Sequence, residues 1–123
     1  MAELQFGRVQ MKIMRILWKK SRATARDITE ALNKEMLIAH STVQTLLREL
    51  EKKGAIDHDI NDRTFIFFPC VENEKVTKKA LRDFIDHIFA GSPGKLVSYL
   101  VQNEKIPPRE LEKIREMIDQ QEK

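Results

Sequence analysis

The sequence predicts a mainly α-helical fold with a small β-hairpin wing, followed by a helical segment that pairs two chains. Apolar residues recur every three to four positions over most of the 123 residues, which is the periodicity of amphipathic helices. The exception is residues 55–68, where β-branched and aromatic residues flank a turn-rich stretch. The length suits one domain with a short added segment.

The first two helices are predicted from apolar spacing and from a cap. Residues 7–19 carry apolar side chains at helical spacing, with Arg and Lys between them. Thr24 stands three residues before Asp27, which is the pattern of a capping box. A short second helix is therefore expected over residues 25–34.

The third helix has the clearest pattern. Its apolar residues fall at i, i+3, i+4 and i+7 and form one face, which comprises Val43, Leu46, Leu47 and Leu50. The other face is polar and comprises Ser41, Thr42, Gln44, Thr45 and Arg48. Lys52, Lys53 and Gly54 supply cations and a glycine C-cap at its end.

Two strands are expected after this helix. Residues 55–59 and 64–68 are the predicted strands, residues 60–63 are the turn, and Pro69 ends the second strand. Helix, helix, short turn, helix and hairpin is the order of a winged helix-turn-helix.

From Lys75 the pattern predicts three further helices, each with a broad apolar stripe. About 50 residues are too few to enclose three such stripes, so pairing with a second copy is expected. Two domains are therefore predicted, a winged helix-turn-helix domain over residues 1–72 and a helical dimerisation domain over residues 73–123. The predicted dimer interface comprises Leu81, Phe84, Ile85, Ile88, Leu96, Leu100, Ile114 and Ile118.

Charge is unevenly distributed along the chain. Residues 1–54 carry 11 Lys and Arg against 6 Asp and Glu, whereas residues 71–123 carry 10 against 10. In a winged helix-turn-helix the third helix enters the DNA major groove. We therefore expect base contacts from its polar face, through Ser41, Thr42, Gln44 and Thr45. The expected backbone contacts are Arg8, His40, Arg48, Lys52 and Arg63, and the wider set of phosphate candidates adds Lys12, Lys19, Lys20, Arg22, Arg26 and Lys53.

Catalysis and cofactors are not expected. The sequence has no Gly-rich phosphate loop and no nucleophile or zinc-protease motif, so no catalytic residue is assigned. One cysteine and three scattered histidines give no recognisable metal-ligand spacing, so neither a metal nor a cofactor is predicted. Cys70 is expected to be a small buried residue. The N-terminus lacks signal-peptide features and no stretch reaches a membrane span, so a cytoplasmic protein without membrane contact is expected.

The string from Thr42 to Gly54, T-x-x-T-L-L-x-x-L-x-x-K-G, resembles the BlaI/MecI penicillinase and methicillin-resistance repressors. The resemblance continues through the hairpin and into the C-terminal helices. It implies a homodimeric winged-helix repressor that binds dyad operators in promoters of β-lactamase, penicillin-binding-protein or related genes. It places the base-facing positions at Ser41, Thr42, Gln44 and Thr45, and a wing-tip backbone contact at Arg63.

Some positions depart from the family's pattern. The family often has Ser-Pro before the third helix, whereas this chain has Ala39 and His40, so Ser41 is expected to cap the helix instead. Relatives often have Arg where Gln44 stands, which indicates a different operator.

Two further departures concern induction. Relatives induced by a sensor protease are cut at an Asn-Phe bond, and the matching positions here are Ser98 and Tyr99. A sensor protease is thus a partner only if it cleaves the bond between Ser98 and Tyr99 or one nearby. The copper-responsive branch has a C-terminal cysteine cluster, which is excluded here because no cysteine follows Cys70. The alternative function is a winged-helix protein-interaction module whose apolar stripes bind a partner and which does not read DNA sequence.

Overall fold

The computed structural model describes residues 4–121. The expected absence of a signal peptide concerns in part residues 1–3, which lie outside the described residues. The elements are α1 (Arg8–Lys20), β1 (Ala23–Thr24), α2 (Ala25–Leu32), α3 (His40–Lys52), β2 (Ile56–Asn61), β3 (Thr64–Pro69), α4 (Asn73–Ile88), α5 (Pro93–Asn103) and α6 (Pro108–Gln121). They form two compact units that divide between Leu81 and Arg82. Within the described part no helix combines the length and the hydrophobicity that a membrane crossing demands.

The first unit has one closed hydrophobic core. The predicted apolar faces of the first three helices meet there, and the first residues of β2 and the middle of β3 complete it. The side chains that are 2% exposed or less include Ile13, Met14, Leu17, Ile28, Leu32, Val43, Leu47, Leu50 and Ile56. Burial of this many large apolar side chains is the main force that holds the unit together.

The capping box predicted at Thr24 is confirmed. The backbone N–H of Asp27 donates to Thr24 Oγ1, and the backbone N–H of Thr24 donates to Asp27 Oδ2, each at 3.1 Å. The backbone N–H of Thr24, and next its side chain, lower the pKa of the Asp27 carboxyl by hydrogen bonding to its charged form. The helix ends at Leu32, two residues earlier than predicted, because the Asn33 side chain donates to the Thr29 carbonyl and closes the last turn.

The prediction that Ser41 caps the third helix is wrong. Helix α3 begins at His40, and the extended Ala39 is its N-cap residue, with its carbonyl accepting from the N–H groups of Thr42 and Val43. A side-chain contact accounts for the difference, since His40 Nδ1 lies 3.0 Å from Thr29 Oγ1 and fixes the first turn two residues earlier than predicted.

The end of α3 follows the prediction. Gly54 has a positive φ of 82° and reverses the chain direction. Its N–H donates to the Glu51 carbonyl, and the Ala55 N–H donates to the Leu50 carbonyl, both at 3.0 Å. This pair of bonds is a Schellman motif, for which glycine is preferred because it has no Cβ.

The hairpin is present, but the sheet has three strands and not two. Strand β2 extends to Asn61, which leaves only Asp62 and Arg63 as the turn. Strand β1 pairs antiparallel with β3 and gives the order β1-β3-β2. Periodicity could not reveal β1 because it is only two residues long and its partner lies more than 40 residues away.

The second unit contains the last part of α4 together with α5 and α6. Ser92 caps α5 by accepting from the Lys95 N–H at 3.1 Å. Phe89 contacts the rings of Phe84 and Tyr99, with centroids 5.8 and 5.9 Å away. Helices α5 and α6 nevertheless bury no side chain within the single chain.

Candidate nucleic-acid interface

The polar face of α3 is open to solvent. The four predicted base-contacting residues Ser41, Thr42, Gln44 and Thr45 are all exposed, while Val43 and Leu47 on the opposite face are buried. Thr45 Oγ1 donates to the Ser41 carbonyl at 3.1 Å and accepts from Arg48 Nη2 at 3.3 Å. The bonds to Thr45 orient Arg48 along the same face. Amide, hydroxyl and guanidinium groups on one exposed helix face can pair with base edges and phosphates.

His40 lies at the start of this face. The single hydroxyl proton of Thr29 is donated to the Ala25 carbonyl at 2.8 Å. His40 Nδ1 must therefore donate to Thr29 Oγ1, since the hydroxyl has no second proton to give. This bond fixes the orientation of the ring at the start of α3.

The wing tip is a two-residue turn with Arg63 at its end. Asp62 and Arg63 have φ values of 49° and 68°, and both central residues of a type I′ turn require positive φ. Asn61 and Thr64 pair on either side of the turn. Arg63 is exposed, as a wing-tip contact to DNA needs. A non-glycine residue at this φ carries some backbone strain.

A cleft of about 650 Å³ lies between α3 and the wing. Its floor is apolar and contains Leu47 and Phe67. The polar residues that line it include Arg26, His40, Gln44, Arg48, Glu51 and Arg63. The structure thus brings together four of the predicted DNA-contacting residues, from both α3 and the wing, along with Arg26 from the wider set of phosphate candidates.

The predicted phosphate candidates fall into two groups. Three of them pair with residues that are distant in the sequence. Lys12 pairs with Glu35 at 2.9 Å, Arg22 pairs with Asp59, and Lys53 donates to the Gln5 carbonyl and to Gln10 Oε1. Lys12 accordingly lowers the pKa of Glu35. The exposed candidates are Arg8, Lys19, Lys20, Arg26, Arg48, Lys52 and Arg63.

The predicted dimer interface residues are mostly exposed in the single chain. Leu81, Phe84, Ile88, Leu100, Ile114 and Ile118 are each between 40% and 58% exposed, and Leu96 is half-buried. Ile85 differs because it is only 5% exposed, so it offers little surface to a second chain. A groove of about 750 Å³ lies along α6 and is lined by apolar residues that include Val101, Leu111, Ile114 and Ile118.

A comparison with known proteins decides the family. The penicillinase repressor family model matches residues 6–120, which is nearly the whole chain. The chain belongs to the penicillinase repressor family. The methicillin resistance regulatory protein MecI of Mammaliicoccus sciuri is 27% identical over 94% of each chain. The penicillinase repressor of Bacillus licheniformis is 22% identical over 94% of this chain and 91% of its own.

Solved structures from the penicillinase repressor family match the fold. The solution structure of the DNA-binding domain of the repressor BlaI has a TM-score of 0.54 and 28% identity, covering 59% of this chain and 90% of its own. The structure of B. licheniformis BlaI in monomeric form with the blaP half-operator has a TM-score of 0.51 and 28% identity, covering 60% and 92%. The winged-helix fold predicted from the element order is therefore confirmed.

Two features of this penicillinase repressor family member escaped the sequence analysis. Gln10 is buried, accepts from the Gly7 N–H at 2.9 Å and donates to Glu49 Oε2 at 3.1 Å, so it ties α1 to α3. The sequence signal for this contact was a polar residue at a core position of a predicted helix.

The expectation of a buried Cys70 is wrong, since the residue is exposed just past the end of β3. Partial burial, with help from Asp57 and Glu51, still raises the pKa of its thiol, which disfavours the reactive thiolate.

Proposed function

We propose that the chain is a homodimeric transcriptional repressor that reads a palindromic operator with α3. The observation that carries the proposal is the cleft between α3 and the wing, where selective polar groups and three arginines lie together in a member of a repressor family. The relatives are named as penicillinase and methicillin-resistance regulators. The genes controlled here are accordingly of the β-lactam-response type, and the protein acts in the cytoplasm, where bacterial promoters lie.

Base reading is assigned to the exposed polar face of α3. Gln44 can make a bidentate pair with adenine, while Ser41, Thr42 and Thr45 can bond base edges or pack a methyl group on thymine. Backbone contacts come from Arg8, His40, Arg48, Lys52 and Arg63, which give affinity and register without sequence information. Both groups of residues are exposed, as contact with DNA requires.

The homodimer supplies the second half of the operator contact. Two copies of α3 related by a two-fold axis would occupy major-groove faces roughly 34–36 Å apart. Repression is steric, because the bound dimer covers promoter DNA. Release follows from any event that weakens the dimer, since one half-site binds far more weakly than two joined together. A sensor protease that cuts near Ser98 and Tyr99 is one such event, and both residues are exposed on α5.

Paired substitutions test the division between base and backbone contacts. Gln44→Ala should cost about 1–3 kcal/mol on the operator and little on random duplex, because it removes a base contact. Lys52→Ala should weaken both duplexes similarly and flatten the salt dependence by about one unit of log-log slope. Fluorescence anisotropy with both duplexes over a salt series measures these effects.

Gln102→Ala is the matched control because Gln102 is an exposed glutamine on α5. It should leave DNA binding unchanged. Equal losses from Gln44→Ala on operator and random DNA would contradict base reading by Gln44. Binding indifferent to DNA sequence at every salt concentration would favour the interaction-module alternative.

A further inference from the structure

Three metal-ligating side chains meet where α3 ends and the wing begins. Glu51 lies in the last turn of α3, and Asp57 and His58 lie at the start of β2. The Schellman turn at Gly54 brings these two segments side by side. One ligand atom from each residue falls within 4.8 Å of the other two. Sequence spacing did not reveal this group, because the turn alone brings its members together.

The geometry of the group is largely set before any ion binds. The His58 ring stacks on Phe65 with centroids 3.9 Å apart and planes 9° apart, so its orientation is fixed by packing. His58 Nδ1 hydrogen bonds Glu51 Oε1 and lies 4.0 Å from Asp57 Oδ1. Asp57 Oδ1 also accepts from the His58 backbone N–H at 2.8 Å, which orients this carboxylate. Such supporting bonds tune metal ligands in known sites.

We propose that Glu51, Asp57 and His58 form a binding site for a divalent transition-metal ion, with zinc as the favoured ion. An imidazole nitrogen with two carboxylates suits zinc better than calcium or magnesium, which prefer oxygen ligands alone. Zinc bonds of about 2.0–2.2 Å place tetrahedral donor atoms about 3.3 Å apart, so the hydrogen-bonded His58 and Glu51 atoms must separate and the Asp57 carboxylate must approach. Side-chain rotation of the exposed Asp57 carboxylate supplies this approach, and the ion takes the place of the hydrogen bond between His58 and Glu51.

The proposed metal site borders the cleft between α3 and the wing. Glu51 lines that cleft together with Gln44 and Arg63, so its carboxylate repels phosphate there. A bound zinc ion neutralises Glu51 and Asp57 and joins the end of α3 to the wing. If the chain binds DNA as proposed above, the site couples zinc binding to DNA binding, and zinc tightens the DNA complex.

Zinc titration of the untagged full-length chain without DNA, in competition with a coloured chelator, tests the site itself. The wild type should bind one zinc ion per chain. Glu51→Gln, Asp57→Asn and His58→Ala should each weaken zinc binding about tenfold or more, as loss of a supporting or direct contact does. If His58→Ala fails to fold because the Phe65 stack is lost, the two isosteric variants still decide the question.

The control variants are Glu30→Gln and His87→Ala, which alter an exposed glutamate and an exposed histidine elsewhere, and Cys70→Ser, which removes the thiol. All three should bind zinc as the wild type does. Wild-type affinity no tighter than that of Glu51→Gln and Asp57→Asn would overturn the proposal. Zinc binding that disappears only in Cys70→Ser would also overturn it, since the ligand would then be the thiol.

A second arm measures the coupling to DNA. With operator DNA, zinc should tighten wild-type binding several-fold relative to chelator and should have no effect on Glu51→Gln. Unchanged DNA affinity in the zinc-loaded wild type would overturn the coupling. Absence of any specific DNA binding, with or without zinc, would refute the proposed function and leave the zinc titration standing.

Discussion

The two units of the molecule use apolar residues in opposite ways. In the first unit the apolar faces of α1, α2 and α3 close on one another, and large side chains such as Ile13 and Leu47 are 1% exposed or less. In the second unit α5 and α6 bury no side chain, although Leu100 and Ile114 lie on their apolar stripes. Apolar periodicity alone therefore predicts a helix, but it does not show whether the same chain buries the apolar face of that helix. The first unit closes its core within one chain, whereas the second leaves its apolar stripes exposed.

The largest expected effect comes from the closed core. Leu47→Ala removes a buried side chain on α3 and should lower the free energy of unfolding by about 2–5 kcal/mol, from lost burial and the cavity left behind. Urea unfolding of the full chain measures it. The matched control is Leu37→Ala, since Leu37 is fully exposed and its loss should stay within about 0.5 kcal/mol. Similar effects for the two variants would contradict the core assignment.

The second unit should respond through assembly. Ile114→Asp places a charge in the apolar groove along α6 and should weaken dimerisation about 100-fold or more, near 2.7 kcal/mol. Sedimentation equilibrium measures the change. Circular dichroism should show that most of the helix content of the chain is retained.

Gln120→Asp is the control for Ile114→Asp because it adds the same charge at an exposed position of α6. It should remain dimeric. A dimer that survives Ile114→Asp would move the interface away from α6.

The smallest effect concerns the wing, where one substitution should raise the free energy of unfolding and weaken DNA binding at the same time. Arg63→Gly creates the Asp-Gly pair that type I′ turns favour and relieves the positive φ at this position. The free energy of unfolding should rise by up to about 1 kcal/mol, while DNA binding weakens and the salt slope falls by about one. Arg63→Lys keeps the charge and should retain the slope. A stability loss in Arg63→Gly would contradict the turn geometry.

Much of this fold could be predicted from sequence because its signals are local. The cap at Thr24, the glycine at the end of α3 and the hairpin depend on residues close together in the chain. The errors arise where distant contacts decide. Thr29 sets the start of α3 through His40, and β1 exists only because β3 pairs with it.

The candidate site follows the same rule. The polar face of α3 could be predicted from helical spacing, and exposure of Gln44 and Arg48 agrees with it. The internal partners of Lys12 and Lys53 could not, because Glu35 and Gln10 reach them only in the folded chain. Charge counting therefore overstates the cations that are free to meet phosphate.

Selection of bound sequences from a random duplex pool by the full-length chain tests the central claim most directly. A homodimer that reads bases with α3 should enrich an inverted repeat, with half-site centres about 10–10.5 base pairs apart or a multiple of that spacing. A single unrepeated motif would contradict the two-fold assembly. A pool that stays random would contradict sequence reading altogether.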